Sequence, residues 1–317
     1  MPLLQVRNLK TYYQTARGYV KAVDGVNFQI SEGEVFGLAG ESGCGKTTVA
    51  LSIIRLLPPG GRIIDGEIMF NDKNILAMSE EDIRKIRWKK IAIVFQGAMN
   101  ALNPVMKVGD QIVEAITTHE DVSKEEAWRR AEKLLEMVGI EPSRAKDYPH
   151  EFSGGMKQRV MIAMALACNP QLLIADEPAT ALDVIVQAQI LKLMRDLQRK
   201  MNLSMMLITH DLSIIAETCN KVAIMYAGKI VEYADTKRIF REPQHPYTRG
   251  LIGAFPSIKG PRRKLISIPG TPPDLLNPPS GCRFHPRCPY TNNKCKSIEP
   301  EIKDLGGEHY VACHMPW

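Results

Sequence analysis

Short apolar runs alternate with stretches of helical period along most of the chain. Residues 34–39, EVFGLA, form an apolar run that stops at a Gly-rich turn, which predicts a buried strand. Residues 46–57, KTTVALSIIRLL, predict a helix that ends at Pro58-Pro59-Gly60-Gly61. Residues 91–95, IAIVF, predict a second buried strand. Residues 123–138 open with Ser123 and Glu126 at capping-box spacing and carry apolar residues at helical spacing. Residues 171–175, QLLIA, and 203–209, LSMMLIT, predict further buried strands, with a helical stretch at 184–200 between them. This alternation predicts a largely parallel sheet sandwiched by helices. After about residue 255 the texture changes: Pro256, Pro261, Pro269, Pro272, Pro273, Pro278 and Pro279 interrupt the chain and periodicity fades, so a small appended region is expected there.

The 317 residues, 44% of them apolar, suffice for one large domain or two modest ones. The net charge of +6 is small and scattered, which argues against nucleic acid as a partner, because that requires a dense basic stripe. The longest apolar run, Val160 to Cys168, is bounded by Arg159 and Asn169 and falls short of the roughly 20 residues a membrane span needs. The start, MPLLQVRNLK, lacks the layout of a secretory signal. A soluble, cytosolic chain is therefore expected, one that would serve a membrane only by docking to another chain.

Two motifs carry chemistry. Gly40-Glu41-Ser42-Gly43-Cys44-Gly45-Lys46-Thr47-Thr48 fits G-x-x-x-x-G-K-S/T and lies between a strand and a helix, the context that motif requires. Its glycines let backbone N–H groups wrap an anion, and the helix N-terminus adds the positive end of its dipole. Lys46 is expected on the β- and γ-phosphates and Thr47 on Mg²⁺. The second motif, Leu172-Leu173-Ile174-Ala175-Asp176-Glu177-Pro178, ends an apolar strand in two carboxylates at the edge of the sheet where ligands bind in open α/β folds. Asp176 is expected to hold Mg²⁺ and Glu177 to polarise the attacking water. Together these motifs indicate a P-loop ATPase.

A third motif, Phe152-Ser153-Gly154-Gly155-Met156-Lys157-Gln158-Arg159, closely resembles the LSGGQ signature of ABC ATPases. In that family the signature of one subunit closes over the γ-phosphate held by the P-loop of the other. The resemblance therefore implies a two-subunit ATP sandwich, with Ser153, Gly154, Gly155 and Gln158 touching the partner's nucleotide. It also implies a D-loop at Ala181-Leu182-Asp183, with Asp183 crossing the dimer interface, a Q-loop glutamine at Gln96 that senses Mg²⁺ and the transporter, and a switch histidine at His210. Tyr13 matches the aromatic that stacks on adenine, with Tyr12 as the alternative. The resemblance runs from residue 3 to about 255.

The tail narrows the family. His245-Pro246-Tyr247-Thr248, Pro269-Gly270-Thr271-Pro272-Pro273 and Gly281-Cys282-Arg283-Phe284-His285-Pro286-Arg287-Cys288-Pro289-Tyr290 are similar to the C-terminal extension of dipeptide and oligopeptide importer ATPases. MKQRVMIAMALACNPQLLIADEP resembles the D-type subunit of those importers. Gly97-Ala98, where Asp-Pro is usual, and Glu151, where Gln is usual, depart from the pattern on surfaces that face the permease or partner. The resemblance implies a P-loop ABC ATPase core of mixed, mostly parallel sheet and helices with an N-terminal antiparallel β region, built from residues 1–96 and 160–255. A helical subdomain at 97–159 ends in the signature, and a Cys-rich extension follows at 256–317. It implies an F-type ATPase partner (or a homodimer in isolation), two membrane permease subunits, an extracytoplasmic binding protein, and a place on the cytoplasmic face of the membrane. The transported solute stays open between dipeptides, longer peptides and a nickel complex. Soluble ABC ATPases of DNA repair or translation are an alternative class, but this chain has neither their very long coiled coil nor a second cassette. A cluster-bearing regulator is the other alternative, opposed by intact Glu177 and His210.

Of seven cysteines, Cys282, Cys288, Cys295 and Cys313 crowd the tail with the spacing C-x5-C-x6-C-x17-C. That spacing matches neither common zinc knuckles nor ferredoxins; four thiolates can hold zinc or a 4Fe–4S cluster, and unligated thiols are the third reading. Resemblance to the D-type importers favours the cluster. A Pro-rich tail with little periodic apolar sequence is expected to need such a staple. Cys168 and Cys219 are expected in the core, and Cys44 in the phosphate loop.

Overall fold

A computed structural model describes residues 2–97, 101–180, 182–254 and 268–317. In chain order its elements begin with β1 (Pro2–Thr15), β2 (Gly18–Ser31), β3 (Val35–Ala39), α1 (Lys46–Ile53), β4 (Gly61–Phe70), β5 (Lys73–Asn74), α2 (Glu80–Ile86) and β6 (Ile91–Val94). Then follow α3 (Val108–His119), α4 (Lys124–Met137), α5 (Gly154–Ala165), β7 (Leu172–Asp176), α6 (Val184–Met201), β8 (Ser204–Thr209) and α7 (Leu212–Thr218). The last are β9 (Lys221–Tyr226), β10 (Lys229–Asp235), α8 (Thr236–Arg241), α9 (Pro246–Gly253), α10 (Asn293–Ser297), β11 (Lys303–Asp304) and β12 (Tyr310–Val311). The residues divide into two compact units, one of 31–34 and 77–207, the other of 2–30, 35–76 and 208–317.

The first unit holds β6 and β7 in parallel register, Ile91 beside Leu172 through Val94 beside Ala175, with β8 next to β7. All five residues of β7 are buried, as its unbroken apolar run requires of a central parallel strand. The helices α3, α4, α5 and α6 surround their own core. α4 is capped as its sequence predicts, with Ser123 Oγ accepting from the Glu126 N–H at 3.2 Å. Arg130 ties α4 to the end of α3 through a bidentate pair with Glu120 (2.6 and 3.2 Å) and to the end of α5 through the Ala167 carbonyl (2.9 Å).

The other unit contains an antiparallel sheet in the order β2-β1-β4-β5, and a run of strands β11-β12-β10-β9-β3 in which β3 and β9 are parallel. The β9–β10 hairpin turns through Ala227 and Gly228, both at positive φ (48° and 84°), the geometry of a two-residue type I′ turn. A Cβ on Gly228 would lie 2.7 Å from the Lys21 carbonyl oxygen, so the position requires glycine.

The tail adds β12 to β10 as an antiparallel pair, Glu232 opposite Val311 and Tyr233 opposite Tyr310. Phe284 packs between Tyr226 and Tyr247, with ring centroids at 5.2 and 5.3 Å. Arg283 bonds the Ala227 carbonyl and the Asp24 carboxylate. Burial opposes ionisation of Asp24, but the Tyr12 hydrogen bond and the Lys229 and Arg283 charges outweigh it and hold its carboxyl below the usual range. His309 Nε2 meets the fully buried Glu232 at 2.8 Å.

These contacts correct the expectation of a metal in the tail. Among the described residues no group of three or more His, Cys, Asp or Glu side chains is arranged to hold a metal ion. Neither a 4Fe–4S cluster nor zinc therefore has a site at Cys282, Cys288, Cys295 and Cys313. All four are free cysteines, and burial pushes Cys282 up to about 11 and raises Cys288 and Cys313, which favours the neutral thiol over the metal-binding thiolate. The inference of a staple assumed that the tail folds on its own apolar residues. Instead it borrows strand β10 and the aromatic cluster of Tyr226 and Tyr247. Residues 255–267, including Pro256 and Pro261, lie outside the described residues.

Candidate functional site

The phosphate-loop motif joins β3 to α1. Every residue of β3 is buried. Gly40, Gly43 and Gly45 all take positive φ (155°, 77° and 108°). Two of them also have no room for a side chain: a Cβ on Gly40 would lie 2.1 Å from the Met225 carbonyl oxygen, and one on Gly45 2.1 Å from that of Ala22. The loop thus turns tightly against backbone, and its N–H groups lead into the N-terminus of α1.

Lys46 is buried, and its ammonium donates to the carbonyls of Gly40 (2.7 Å) and Glu41 (3.0 Å). The loop's own carbonyl oxygens thereby satisfy two of the ammonium's donors. Cys44 is buried, and burial raises its thiol above the usual value. Ser42, Gly43 and Thr47 are exposed, whereas Thr48 is buried. Tyr13 Oη lies 3.4 Å from Thr48 Oγ1, so this ring stands beside α1. Tyr12 is instead tied to Asp24 at 2.7 Å, and burial together with that hydrogen bond pushes its hydroxyl up to about 12.

The carboxylate motif ends β7 in the other unit. Asp176 is 1% exposed. Glu177 sits in the left-handed region at φ 47°, an unusual backbone for a non-glycine residue and one found repeatedly at active sites. Its Oε2 accepts from Gln96 Nε2 at 3.3 Å and from Thr180 Oγ1 at 2.8 Å. Gln96 is two residues past Val94 and Glu177 two past Ala175, so the strand register brings them together. His210 follows β8 and is exposed, ahead of Asp211, which caps α7.

Ser153 caps α5, its Oγ accepting from the Met156 N–H at 3.4 Å, and it is exposed. Gly154 and Gly155 form the first turn, while Gln158 is buried on the same helix. A Cβ on Gly155 would lie 2.5 Å from Val186 Cγ1, so glycine lets the start of α5 approach α6. Asp183 caps α6, accepting from Ile185 and Val186 at 3.1 and 2.9 Å. Ala98 and Ala181 lie outside the described residues.

Thr47, Gln96 and Asp176 offer hydroxyl, amide and carboxylate oxygens, hard donors of the kind Mg²⁺ takes. Tyr247, Arg283 and Arg287 stand in the motifs that resemble the importer extension, but the sequence assigns them no site role. Arg287 holds the Glu41 carboxylate in the phosphate loop with two hydrogen bonds, at 2.6 and 3.0 Å. Tyr247 accepts from the Glu41 N–H at 3.0 Å. The arginines stand four residues apart between cysteines, and that spacing was the available signal.

Residues 23–180 match the ABC transporter family, and residues 231–295 match the C-terminal region of oligopeptide and dipeptide transporters. The oligopeptide transport ATP-binding protein AppD of Bacillus subtilis is 49% identical over 318 residues, covering 99% of this chain and 96% of the relative. The dipeptide transport ATP-binding protein DppD of Escherichia coli is 44% identical, covering 100% of this chain and 97% of its own length. Among solved structures, a dimeric bacterial ABC transporter cassette superposes with a TM-score of 0.66 at 28% identity, covering 74% of this chain and 98% of that one. A cassette from the cbiONQ complex of Clostridium perfringens gives 0.66 at 30% identity, covering 75% and 90%.

Proposed function

This chain belongs to the ABC transporter ATP-binding proteins of the oligopeptide and dipeptide type, and from that premise we propose that it powers import of short peptides. It is an ATP-hydrolysing subunit of mixed α/β fold. Among the described residues no helix is long and apolar enough to cross a membrane. Membrane work is therefore assigned to two permease subunits, with the chain on their cytoplasmic face and an extracytoplasmic binding protein supplying the peptide.

The observation that carries the ATPase part of this reading is the phosphate loop itself, and the peptide part rests on the likeness of the chain to oligopeptide and dipeptide transport proteins. A buried lysine is stored against the carbonyls of Gly40 and Glu41, in a loop where a Cβ on Gly40 or Gly45 would strike a backbone carbonyl. On nucleotide binding Lys46 transfers from those carbonyls to the β- and γ-phosphates, and N–H groups of residues 43–48 bind phosphate oxygens. Thr47, Gln96 and Asp176 are each proposed as oxygen ligands of Mg²⁺, which would supply neutralisation of phosphate charge. Glu177, oriented by Gln96 and Thr180, takes the proton of the attacking water. His210 donates to the γ-phosphate, and Tyr13 stacks on adenine.

Ser153, which is exposed, forms with Gly154 and Gly155 a second helix N-terminus, which supports a role on the partner subunit's nucleotide. Asp183, capping the neighbouring helix, would cross the same interface. The helical segment 97–159 would receive the permease, joined to the chemistry through Gln96. A related F-type subunit is the proposed partner in the cell, with a homodimer forming in isolation. The test is genetic: deletion of the chain should abolish uptake of a labelled di- or tripeptide, and expression of the intact chain should restore it. Unchanged peptide uptake with loss of nickel uptake would move the assignment to a metal-complex importer.

A further inference from the structure

Glu41 occupies the second position of the phosphate loop, and nearly every polar group it has is engaged. Its carbonyl accepts from Lys46 (3.0 Å) and from the Cys44 N–H (3.3 Å). Its own N–H donates to Tyr247 Oη (3.0 Å). Its carboxylate is gripped in a planar fork by Arg287, Nη1 at 2.6 Å and Nη2 at 3.0 Å. Arg287 is in turn fixed by Nε to the Pro269 carbonyl (2.8 Å) and by Nη1 to Tyr226 Oη (3.4 Å). Both grips on Glu41 come from the C-terminal part of the chain, and Arg287 and Tyr247 are both buried. Side chain and backbone of one loop residue are thus held from outside the loop.

The direction of these bonds matters. Nucleotide binding removes Lys46 from the Glu41 carbonyl, which otherwise helps to hold the loop in shape. The Arg287 and Tyr247 bonds involve other atoms of Glu41 and persist through that exchange. They hold Glu41, and with it the start of the loop, in place whether or not Lys46 is bonded to the loop's carbonyls. We infer that Arg287 and Tyr247 are positioning residues for the phosphate loop, and that through them the C-terminal region sets the chain's affinity for ATP. Neither residue touches nucleotide in this account. Each acts through Glu41, and the inference rests on the reading of residues 40–48 as the triphosphate site.

The test uses the full-length chain, with MgATP binding measured at equilibrium and steady-state hydrolysis resolved into kcat and KM. Arg287→Met should weaken ATP binding and raise KM about tenfold, with kcat falling less, because preorganisation and not chemistry is lost. Arg287→Lys, with a point charge in place of the fork, should lie between. Tyr247→Phe should raise KM about threefold, in keeping with loss of one neutral acceptor. Glu41→Gln combined with Arg287→Met should be no worse in KM than Arg287→Met alone. A purely structural role would lower the melting temperature and leave KM in place. Should Arg287→Met fail to fold, Tyr247→Phe and Arg287→Lys carry the same measurement. Folded variants with wild-type KM and ATP affinity overturn the inference. Lys46→Ala serves as the control: if it still binds ATP, the reading of the triphosphate site fails, whereas loss of binding there with unchanged Arg287 variants sinks only the positioning role.

Discussion

Gln96 Nε2 donates a hydrogen bond to Glu177 Oε2 across 3.3 Å, linking the ends of β6 and β7. Thr180 Oγ1 donates to the same oxygen at 2.8 Å. A carboxylate on a left-handed backbone is thereby aimed by two donors. Gln96→Ala should leave Glu177 present but less well oriented. We expect kcat to drop roughly fivefold to tenfold, about the worth of one hydrogen bond to a charged group, with ATP binding largely kept. An unchanged kcat in steady-state assays would show that Gln96 does not orient Glu177.

Lys46 supplies the buried cation of the phosphate loop. Lys46→Ala removes the charge that would meet the β- and γ-phosphates, and ATP affinity should fall at least about 100-fold, as expected when a charge-assisted contact is lost. Equilibrium titration with MgATP measures this. Retention of wild-type affinity would mean that the loop is not the triphosphate site.

Much of this was readable before any coordinates, and the reasons are local. Residues 34–39 and 171–175 are apolar runs too short for helices, and both became buried strands, Val35–Ala39 and Leu172–Asp176. Ser123 announced α4 because capping is decided within four residues. The glycines at 40, 43 and 45 were legible because all three take positive φ, and Gly40 and Gly45 also lie against backbone carbonyls. The contact of Gln96 with Glu177 needed strand register, which relates positions 81 residues apart and has no local signature. The tail misled for the same reason. Its sparse apolar residues suggested a fold dependent on metal, but Phe284 and Arg287 pack on partners about 60 residues or more away, such as Tyr226 and Glu41. The four cysteines dominated the pattern, and the arginines between them made the contacts.

Ser153 tests the two-subunit arrangement. It is exposed at the start of α5, so a long side chain there should not disturb the chain's own core. Ser153→Arg should bind ATP as a monomer with near wild-type affinity but fail to form an ATP-dependent dimer, and turnover should fall by about 100-fold or more, as when a transition-state contact is lost. Light scattering with and without ATP reads the first effect. A Ser153→Arg dimer with normal turnover would rule out the sandwich.

His245 gives the fold a defined pH dependence. It is fully buried, caps α9 through Nδ1 by accepting from the Tyr247 N–H at 3.0 Å, and its backbone N–H meets Glu232 Oε2 at 2.9 Å. Burial lowers its pKa from 6.5 to about 4, against the pull of Glu232. The folded state therefore keeps a neutral imidazole while the unfolded chain takes up a proton. Stability from this residue is complete above about pH 6.5 and is lost as pH falls toward 4, on the order of 3 kcal/mol in all. His245→Asn keeps a capping acceptor without titrating. Its melting temperature should fall less steeply than that of the wild type between pH 7 and pH 4.5. Parallel curves would exclude His245 as the source.

The central claim is that this chain hydrolyses ATP with Glu177 as the residue that activates water. Single-site replacement by glutamine keeps size and hydrogen-bonding capacity and removes the base. Steady-state hydrolysis by the Glu177→Gln chain should fall roughly 10²–10⁴-fold while MgATP binding persists, and the chain should accumulate as an ATP-bound closed dimer. Hydrolysis by Glu177→Gln at the wild-type rate would contradict the account.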